Sequence, residues 1–80
     1  MTGNQGINLY EARKHRTFQI VSVPPVGLLE NLGVYAGTRV AIQARYAFGG
    51  PVLLRVAGAY LVAVGKDIAK QIVVMDDAAI

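Results

Sequence analysis

Hydrophobic and polar residues alternate in the first part of the chain, and this alternation predicts a β-strand. Thr17–Val23 is rich in β-branched residues and places Phe18, Ile20 and Ser22 on one face. Pro24-Pro25 follows directly, and neither proline can donate a hydrogen bond to a neighbouring strand. We therefore expect the first strand to end before the two prolines.

A second alternating segment predicts a half-buried strand over Thr38–Arg45. Val40, Ile42 and Ala44 share one face of this segment, and Arg45 lies on the other. The apolar face is expected to point into the core, which leaves the arginine outward.

The next two segments predict a pair of strands joined by a tight turn. Pro51 stands at a strand start, where a sheet tolerates proline, and in residues 52–56 the apolar side chains alternate with Arg55. Gly58-Ala59 fits a two-residue hairpin with glycine first, as a type II′ turn requires. That register places Leu61 and Ala63 in the core. Residues 60–64 are apolar on both faces, however, so a bulge would reverse the two faces, and the sequence leaves both arrangements open.

Three short helical segments are predicted between the strands. Asn8 and Glu11 have the spacing of a capping box and predict one or two turns over Leu9–Lys14. Pro25 suits the first position of a second helix, and Lys66–Lys70 has room for a single turn.

The second helix has a clear predicted end. Leu28, Leu29 and Leu32 share one of its faces, and Gly33 stands where a left-handed C-cap would fall. Gly37 then stands where a type II turn requires a positive φ.

The order of elements predicts a small, mainly β domain. A closing strand is expected at Ile72–Val74 and a frayed tail at Met75–Ile80. We place the domain at residues 7–75, with flexible termini at 1–6 and 76–80. Five short strands with two or three helical turns suggest a closed or nearly closed barrel, which removes exposed strand edges.

Composition restricts the class of protein. The chain has 80 residues, 54% of them hydrophobic and 16% charged, a balance that excludes disorder. It has no cysteine and hence no disulfide framework. No stretch approaches the ~20 apolar residues of a membrane span, and the first residues lack the features of a signal peptide. We expect one soluble, cytoplasmic domain without direct membrane insertion.

The net charge of +3 gives only a weak indication of nucleic-acid binding. Arg13, Lys14 and Arg16 form a cluster that is typical of a solvated surface. A nucleic-acid-binding barrel stays open as an alternative, because Arg45 and Arg55 are equidistant from the Gly50 turn and are expected to face each other.

The chain shows no arrangement of residues typical of an enzyme. His15 is the only histidine and lies between two cations, which disfavours metal binding. Gly49-Gly50 lacks the Lys-Ser/Thr pair of a phosphate-binding loop. Asp76 and Asp77 fall in the predicted frayed tail, where they are expected to be solvated and not to bind a metal. We expect no catalytic residue, no cofactor and no metal site.

The surplus of apolar side chains is the main indication of function. A chain this small cannot bury all of them, and exposed apolar patches mark interaction sites. The candidate partner-binding residues are Leu28, Leu29, Tyr35, Tyr46, Phe48 and Tyr60. The turns expected to support them involve Gly33, Gly37, Gly49, Gly50, Pro51 and Gly58. Self-association would also cover such a surface.

Three ordered motifs carry a family resemblance. Leu32–Val40, Gly49–Val52, and Ile68-Ala69 followed by Ile72 and Val74 resemble the FeoA family, small cytosolic proteins of bacterial ferrous-iron uptake. The resemblance covers roughly residues 7–75. Family members often have proline where this chain has Ala36, and a different pair of residues in place of Val64-Gly65.

The resemblance implies a fold and a role. The fold would be an SH3-like small barrel. The role would be a non-enzymatic accessory one, in which the protein docks on the cytoplasmic side of a ferrous-iron transporter that carries a GTP-binding domain. A related barrel forms the C-terminal domain of iron-dependent repressors, so a regulatory domain of that kind is the alternative.

Overall fold

One antiparallel sheet contains every strand of the described residues. The structure is a computed structural model that describes residues 6–77. Its elements are β1 (Ile7–Asn8), a 3₁₀ turn (Leu9–Glu11), β2 (Thr17–Ser22), α1 (Gly27–Asn31), β3 (Arg39–Arg45), β4 (Val52–Val56), β5 (Tyr60–Val64), α2 (Lys66–Ala69) and β6 (Val73–Asp76). The strand order in the sheet is β1-β6-β2-β3-β4-β5. The predicted mainly β architecture is confirmed, with six strands instead of about five, because β1 gives no alternation signal in two residues.

The alternating faces of β2, β3 and β4 form the core. On one side of each strand the side chains are buried, and these are Phe18, Ile20, Val40, Ile42, Val52, Leu54 and Val56. The pairs Val40–Val56 and Ile42–Leu54 lie directly across from each other. Burial of these aliphatic and aromatic side chains, each contributing about 1.5–3 kcal/mol, is the main stabilising term for so small a domain. The alternation in the sequence predicted this set correctly, but it also placed Ser22 and Ala44 on the inner face, and neither of these is buried.

The β4–β5 hairpin differs from the preferred prediction by one residue. Val56, not Ala57, pairs with Tyr60, and the turn between them has positive φ at Ala57 and at Gly58 (53° and 70°). Two consecutive positive φ values are typical of a type I′ turn, not the type II′ turn that was expected. The slip reverses the faces of β5, so Val62 is buried and Leu61 is exposed.

A bulge in β3 reverses the end of that strand. Ile42 pairs with Leu54, but Ala44 pairs with Leu53, which leaves Gln43 without a partner residue. Because an extra residue shifts the alternation, Arg45 lies opposite the buried Val52. The predictions of an inward Ala44 and of an Arg45–Arg55 facing pair are therefore wrong.

The short helices lie near their predicted positions. The Asn8 side chain accepts a hydrogen bond from the Glu11 N–H at 3.1 Å, although the 3₁₀ turn ends at Glu11 and does not reach Lys14. Val26 is the N-cap of α1, so Pro25 precedes the helix and does not occupy its first position. Gly33 has φ 82°, as a left-handed C-cap requires.

The last strand continues further than expected. Met75 and Asp76 pair with Gln19 and Phe18 of β2, so they are not part of a frayed tail. Residues 1–5 and 78–80, which were predicted to be flexible, lie outside the described residues. None of the described helices has the length and apolar character needed to cross a bilayer.

Candidate interaction surface

The candidate partner-binding residues separate into two groups at opposite ends of β4. Tyr46 and Phe48 lie in the turn before Val52, where β4 begins, whereas Tyr60 is opposite Val56, where β4 ends. Four residue steps along a strand span about 13 Å. The exposed aromatic rings therefore form two separate surfaces.

Leu29 does not belong to either surface. It is only 5% exposed and is part of the core, whereas Leu28, its neighbour on α1, is 62% exposed. Its carbonyl oxygen also accepts the Val34 N–H at 2.8 Å, just after the helix end. Helical spacing alone placed both leucines on one face, but the packing of α1 buries only Leu29.

The first surface is the tip of the β3–β4 hairpin. The Gly50 N–H donates to the Ala47 carbonyl oxygen at 3.2 Å, and the two residues between them, Phe48 and Gly49, have φ 60° and 74°. Phe48 is completely exposed (106%), and Tyr46 is half exposed beside it. Phe48 thus has a left-handed backbone conformation, and no part of its ring is buried against the rest of the protein.

The base of this tip is held by Tyr10. Its hydroxyl donates to the Gly50 carbonyl oxygen at 3.4 Å. The Lys66 Nζ lies 5.7 Å from the centre of the Tyr10 ring, and the Arg45 Cζ lies 5.9 Å from it. Two cations therefore lie close to the ring whose hydroxyl contacts the base of the tip. No local sequence pattern indicates this arrangement, because Tyr10 and Gly50 are 40 positions apart.

The second surface surrounds α1. Leu28, Tyr35 and Tyr60 are exposed there, and the Tyr60 hydroxyl donates to the Leu32 carbonyl oxygen at 2.6 Å. A groove of 360 Å³ lies alongside, and its lining consists of Val23, Pro25, Val26, Gly27, Glu30, Val34 and Tyr35. Val21 and Leu61 are also exposed, and neither was among the candidates.

Among the described residues, acidic side chains near the end of β6 form ion pairs and do not belong to a metal-binding cluster. No three histidine, aspartate or glutamate residues within residues 6–77 lie close enough together to hold a metal ion. Asp76 and Asp77, assigned to a tail by the sequence, form ion pairs with Arg16 at 2.5 Å and Arg39 at 3.1 Å. The basic residues at the start of β2 and β3 are thus partly neutralised by the end of the chain.

The fold and this surface together define a class. The chain is a small SH3-like β domain that presents exposed aromatic side chains at its turns. The model of the FeoA domain family matches residues 7–76, and the chain belongs to the FeoA family.

Solved structures agree with this assignment. A FeoA-like protein from Clostridium acetobutylicum is 26% identical, with a TM-score of 0.78 over 96% of this chain and 91% of that one. An iron uptake regulatory protein (FeoA) is 21% identical, with a TM-score of 0.77 over 88% and 94% of the two chains. A manganese-dependent transcriptional repressor shares the fold at 18% identity, with a TM-score of 0.81 over 95% of this chain but 44% of the repressor. No curated protein sequence matches this chain.

Family membership confirms the resemblance and the coarse role that it implied. The chain is a small domain related to ferrous-iron uptake, in a family of accessory domains that is not a known enzyme family. The repressor shares only the fold, and its metal and its DNA-related activity do not transfer to this chain.

Proposed function

We propose that this protein is a non-enzymatic adaptor of ferrous-iron uptake that docks on the cytoplasmic part of a GTP-binding membrane iron transporter. The docking surface is the β3–β4 hairpin tip with Tyr46 and Phe48. The single observation that carries the proposal is the conformation and complete exposure of Phe48.

Phe48 is unfavourable for the isolated protein in two ways. A left-handed backbone costs about 1–2 kcal/mol for a residue with a Cβ, and the exposed ring gains nothing from burial. Strained residues occur preferentially at functional sites, and aromatic side chains are enriched at binding hot spots. Both features are explained if the ring is buried in a pocket of a partner.

The charge around the tip indicates the chemistry of that pocket. Lys66 and Arg45 lie within 6 Å of the Tyr10 ring, and the Tyr10 hydroxyl donates to Gly50 at the base of the hairpin tip. A complementary partner site has an apolar pocket for Phe48 and carboxylates on its rim, because opposite charges across an interface favour encounter and fix the register. Docking shifts the conformational equilibrium of the transporter only if the adaptor binds one conformation more tightly than another.

The proposal is tested by binding to the detergent-solubilised cognate transporter. Phe48→Ser is expected to weaken binding by about 30-fold, the equivalent of the 2 kcal/mol that defines a hot spot. Leu28→Ser is the matched control, because Leu28 is also an exposed apolar residue but belongs to the α1 surface. Equal losses for the two variants, or no binding of the unchanged protein at micromolar concentration, would contradict the proposal.

A regulatory domain like that of metal-dependent repressors is the second candidate, and the fold shared with the manganese-dependent repressor favours it. The related idea of nucleic-acid binding loses its main support, because Arg45 is turned toward Tyr10 and Ala12 and does not face Arg55. Anisotropy of a labelled oligonucleotide at two salt concentrations tests this idea. Binding that falls steeply with salt would favour it over the adaptor.

A further inference from the structure

β5 is an edge strand that has none of the usual features that prevent edge-to-edge pairing. It lies last in the sheet, and within residues 6–77 its one neighbouring strand is β4. Its sequence, Tyr60-Leu61-Val62-Ala63-Val64, has no charge and no proline, and all five residues pair with β4 in an unbroken register. Sheet edges normally carry lysine, proline or a bulge to prevent pairing with another chain.

The peptide groups that face outward from this edge can be assigned from the hydrogen bonds. The Ala57 N–H donates to the Arg39 carbonyl oxygen at 2.8 Å, so Ala57 bonds toward β3. Because successive residues of a strand bond to opposite sides, the N–H and C=O of Val56 point toward β5. Because hydrogen-bonded and non-hydrogen-bonded pairs alternate along an antiparallel ladder, Tyr60, Val62 and Val64 bond to β4. The N–H and C=O groups of Leu61 and Ala63 therefore point out of the sheet edge.

We propose that the β5 edge binds the β5 edge of a second copy of this chain, antiparallel, about a two-fold axis at Val62. In this register Leu61 of each copy lies opposite Ala63 of the other, and each such pair exchanges two hydrogen bonds. A two-fold axis at Leu61 or at Ala63 would form only one such pair. The axis at Val62 therefore satisfies all the outward peptide groups of residues 61 and 63 in both copies.

The side chains on the outer face are complementary in the same register. Leu61 is 47% exposed and is large, whereas Ala63, its partner in the second copy, is small. The two copies of Leu61 are diagonal neighbours across the axis, about 7–8 Å apart, within reach of each other's side chains. Pairing thus covers an exposed leucine whose cross-strand neighbour on β4 is a charged residue, Arg55.

The nearest charges do not oppose this pairing. Arg55 lies across from Leu61 on β4. In the paired sheet, the two copies of Arg55 are therefore three strand spacings apart across the strands and two residues apart along them. That separation is about 16 Å, or roughly twice the Debye length at physiological ionic strength. A second copy is favoured over an acidic or basic peptide because the edge offers no charge to recognise one. The proposal is independent of the docking of Phe48.

Sedimentation velocity and NMR at increasing protein concentration test the pairing. The contact is smaller than a stable interface, so we expect a dimer with a Kd of about 10 μM–1 mM. Leu61→Lys and Ala63→Pro are each expected to weaken the dimer at least tenfold. The lysine would place a charge in the contact, and the proline would remove an outward N–H that takes no part in the β4 ladder. Leu28→Lys is the matched control and is expected to leave the dimer unchanged.

A cysteine scan tests the register and also serves if one of these variants fails to fold. The chain has no cysteine, so a single introduced thiol can bond only to its equivalent in another copy. Val62→Cys is expected to form a disulfide-linked dimer under mild oxidation, since Cα atoms of a non-hydrogen-bonded pair lie about 4.5 Å apart, within the range of a disulfide. Leu61→Cys is expected to crosslink poorly, because its equivalents lie farther apart than about 7 Å.

Several results would overturn the proposal. They are a monomer at millimolar concentration, a dimer that Leu61→Lys and Ala63→Pro leave intact, and efficient crosslinking at residue 61 but not at 62. Protection of the β5 amides only when the transporter is added would assign the edge to that partner and would equally reject the second copy.

Discussion

Arg45 and Ala12 are joined by a hydrogen bond from the Arg45 Nη2 to the Ala12 carbonyl oxygen, although the two residues are 33 positions apart in the chain. The bulge at Gln43 makes this contact possible, because it turns Arg45 to the side of the buried Val52. Ala12 is fully buried, and within residues 6–77 Arg45 is the donor to its carbonyl oxygen. The bond connects the segment before β2 to the end of β3, directly under the hairpin tip.

Removal of this guanidinium should destabilise the protein. Arg45→Ala leaves a buried carbonyl oxygen without a donor, at a cost of about 1–3 kcal/mol in the free energy of unfolding. Urea denaturation measures the change. Arg55→Ala is the control, because the Arg55 contact with Gln43 is exposed and long (3.4 Å), and its loss should cost less than about 0.5 kcal/mol. Equal costs would show that the Ala12 contact does not stabilise the fold.

Relief of the backbone strain at Phe48 should stabilise the protein while it removes the docking group. Asparagine tolerates the left-handed region better than phenylalanine, so we expect Phe48→Asn to raise the free energy of unfolding by about 0.5–1 kcal/mol. Thermal unfolding checks this expectation.

Ala57→Asn is the matched variant in the other strained turn. It creates an Asn-Gly pair, which type I′ turns prefer, and should give a similar gain without loss of transporter binding. A decrease in stability for Phe48→Asn would mean that the Phe48 ring packs against the protein after all.

The close contact between Gly33 and Tyr60 gives a third prediction. A Cβ on Gly33 would lie 2.1 Å from the Tyr60 hydroxyl oxygen, at a φ of 82°. Gly33→Ala therefore combines a steric clash with backbone strain and should cost more than about 2 kcal/mol. Gly37→Ala has comparable strain but no atom within 4 Å, and it should cost only about 1 kcal/mol.

A double-mutant cycle separates the clash from the strain. Tyr60→Phe removes the oxygen that a Cβ at residue 33 would meet, and the ring carbon Cζ then remains at 3.5 Å, an ordinary contact distance. Tyr60→Phe alone loses the hydrogen bond to Leu32, so the two changes together should cost less than their sum. Additive costs would reject the clash.

The ion pair at the end of the chain should contribute little. Arg39 and Asp77 are 67% and 29% exposed at their side chains, so solvent screens their attraction. Asp77→Asn is expected to lower the free energy of unfolding by at most about 1 kcal/mol, and the difference should shrink in 1 M salt, where the Debye length is about 3 Å. Thermal unfolding at two salt concentrations checks this. A larger, salt-independent loss would indicate that Asp77 also has a structural role.

The features that depend on interactions between near neighbours in the chain could be predicted from the amino-acid sequence. The alternation of β2, β3 and β4 identified most of the buried side chains, because a strand presents every second residue to the same face. Gly33 and Gly37 marked the turns, because only glycine takes their backbone conformation without strain. Ordered motifs between Leu32 and Val74 were sufficient for the family.

The features that depend on pairing between distant segments could be read only from the folded structure. β5 is apolar on both faces, so only its register against β4 fixes which side chains are buried, and a one-residue slip exchanges the two faces. Pairing between distant segments also determines three other features. These are the bulge at Gln43, the pairing of Asp76 with Phe18, and the separation of Phe48 from Tyr60. A residue's neighbours across a sheet come from distant parts of the chain, so the local pattern of hydrophobic and polar residues does not predict them.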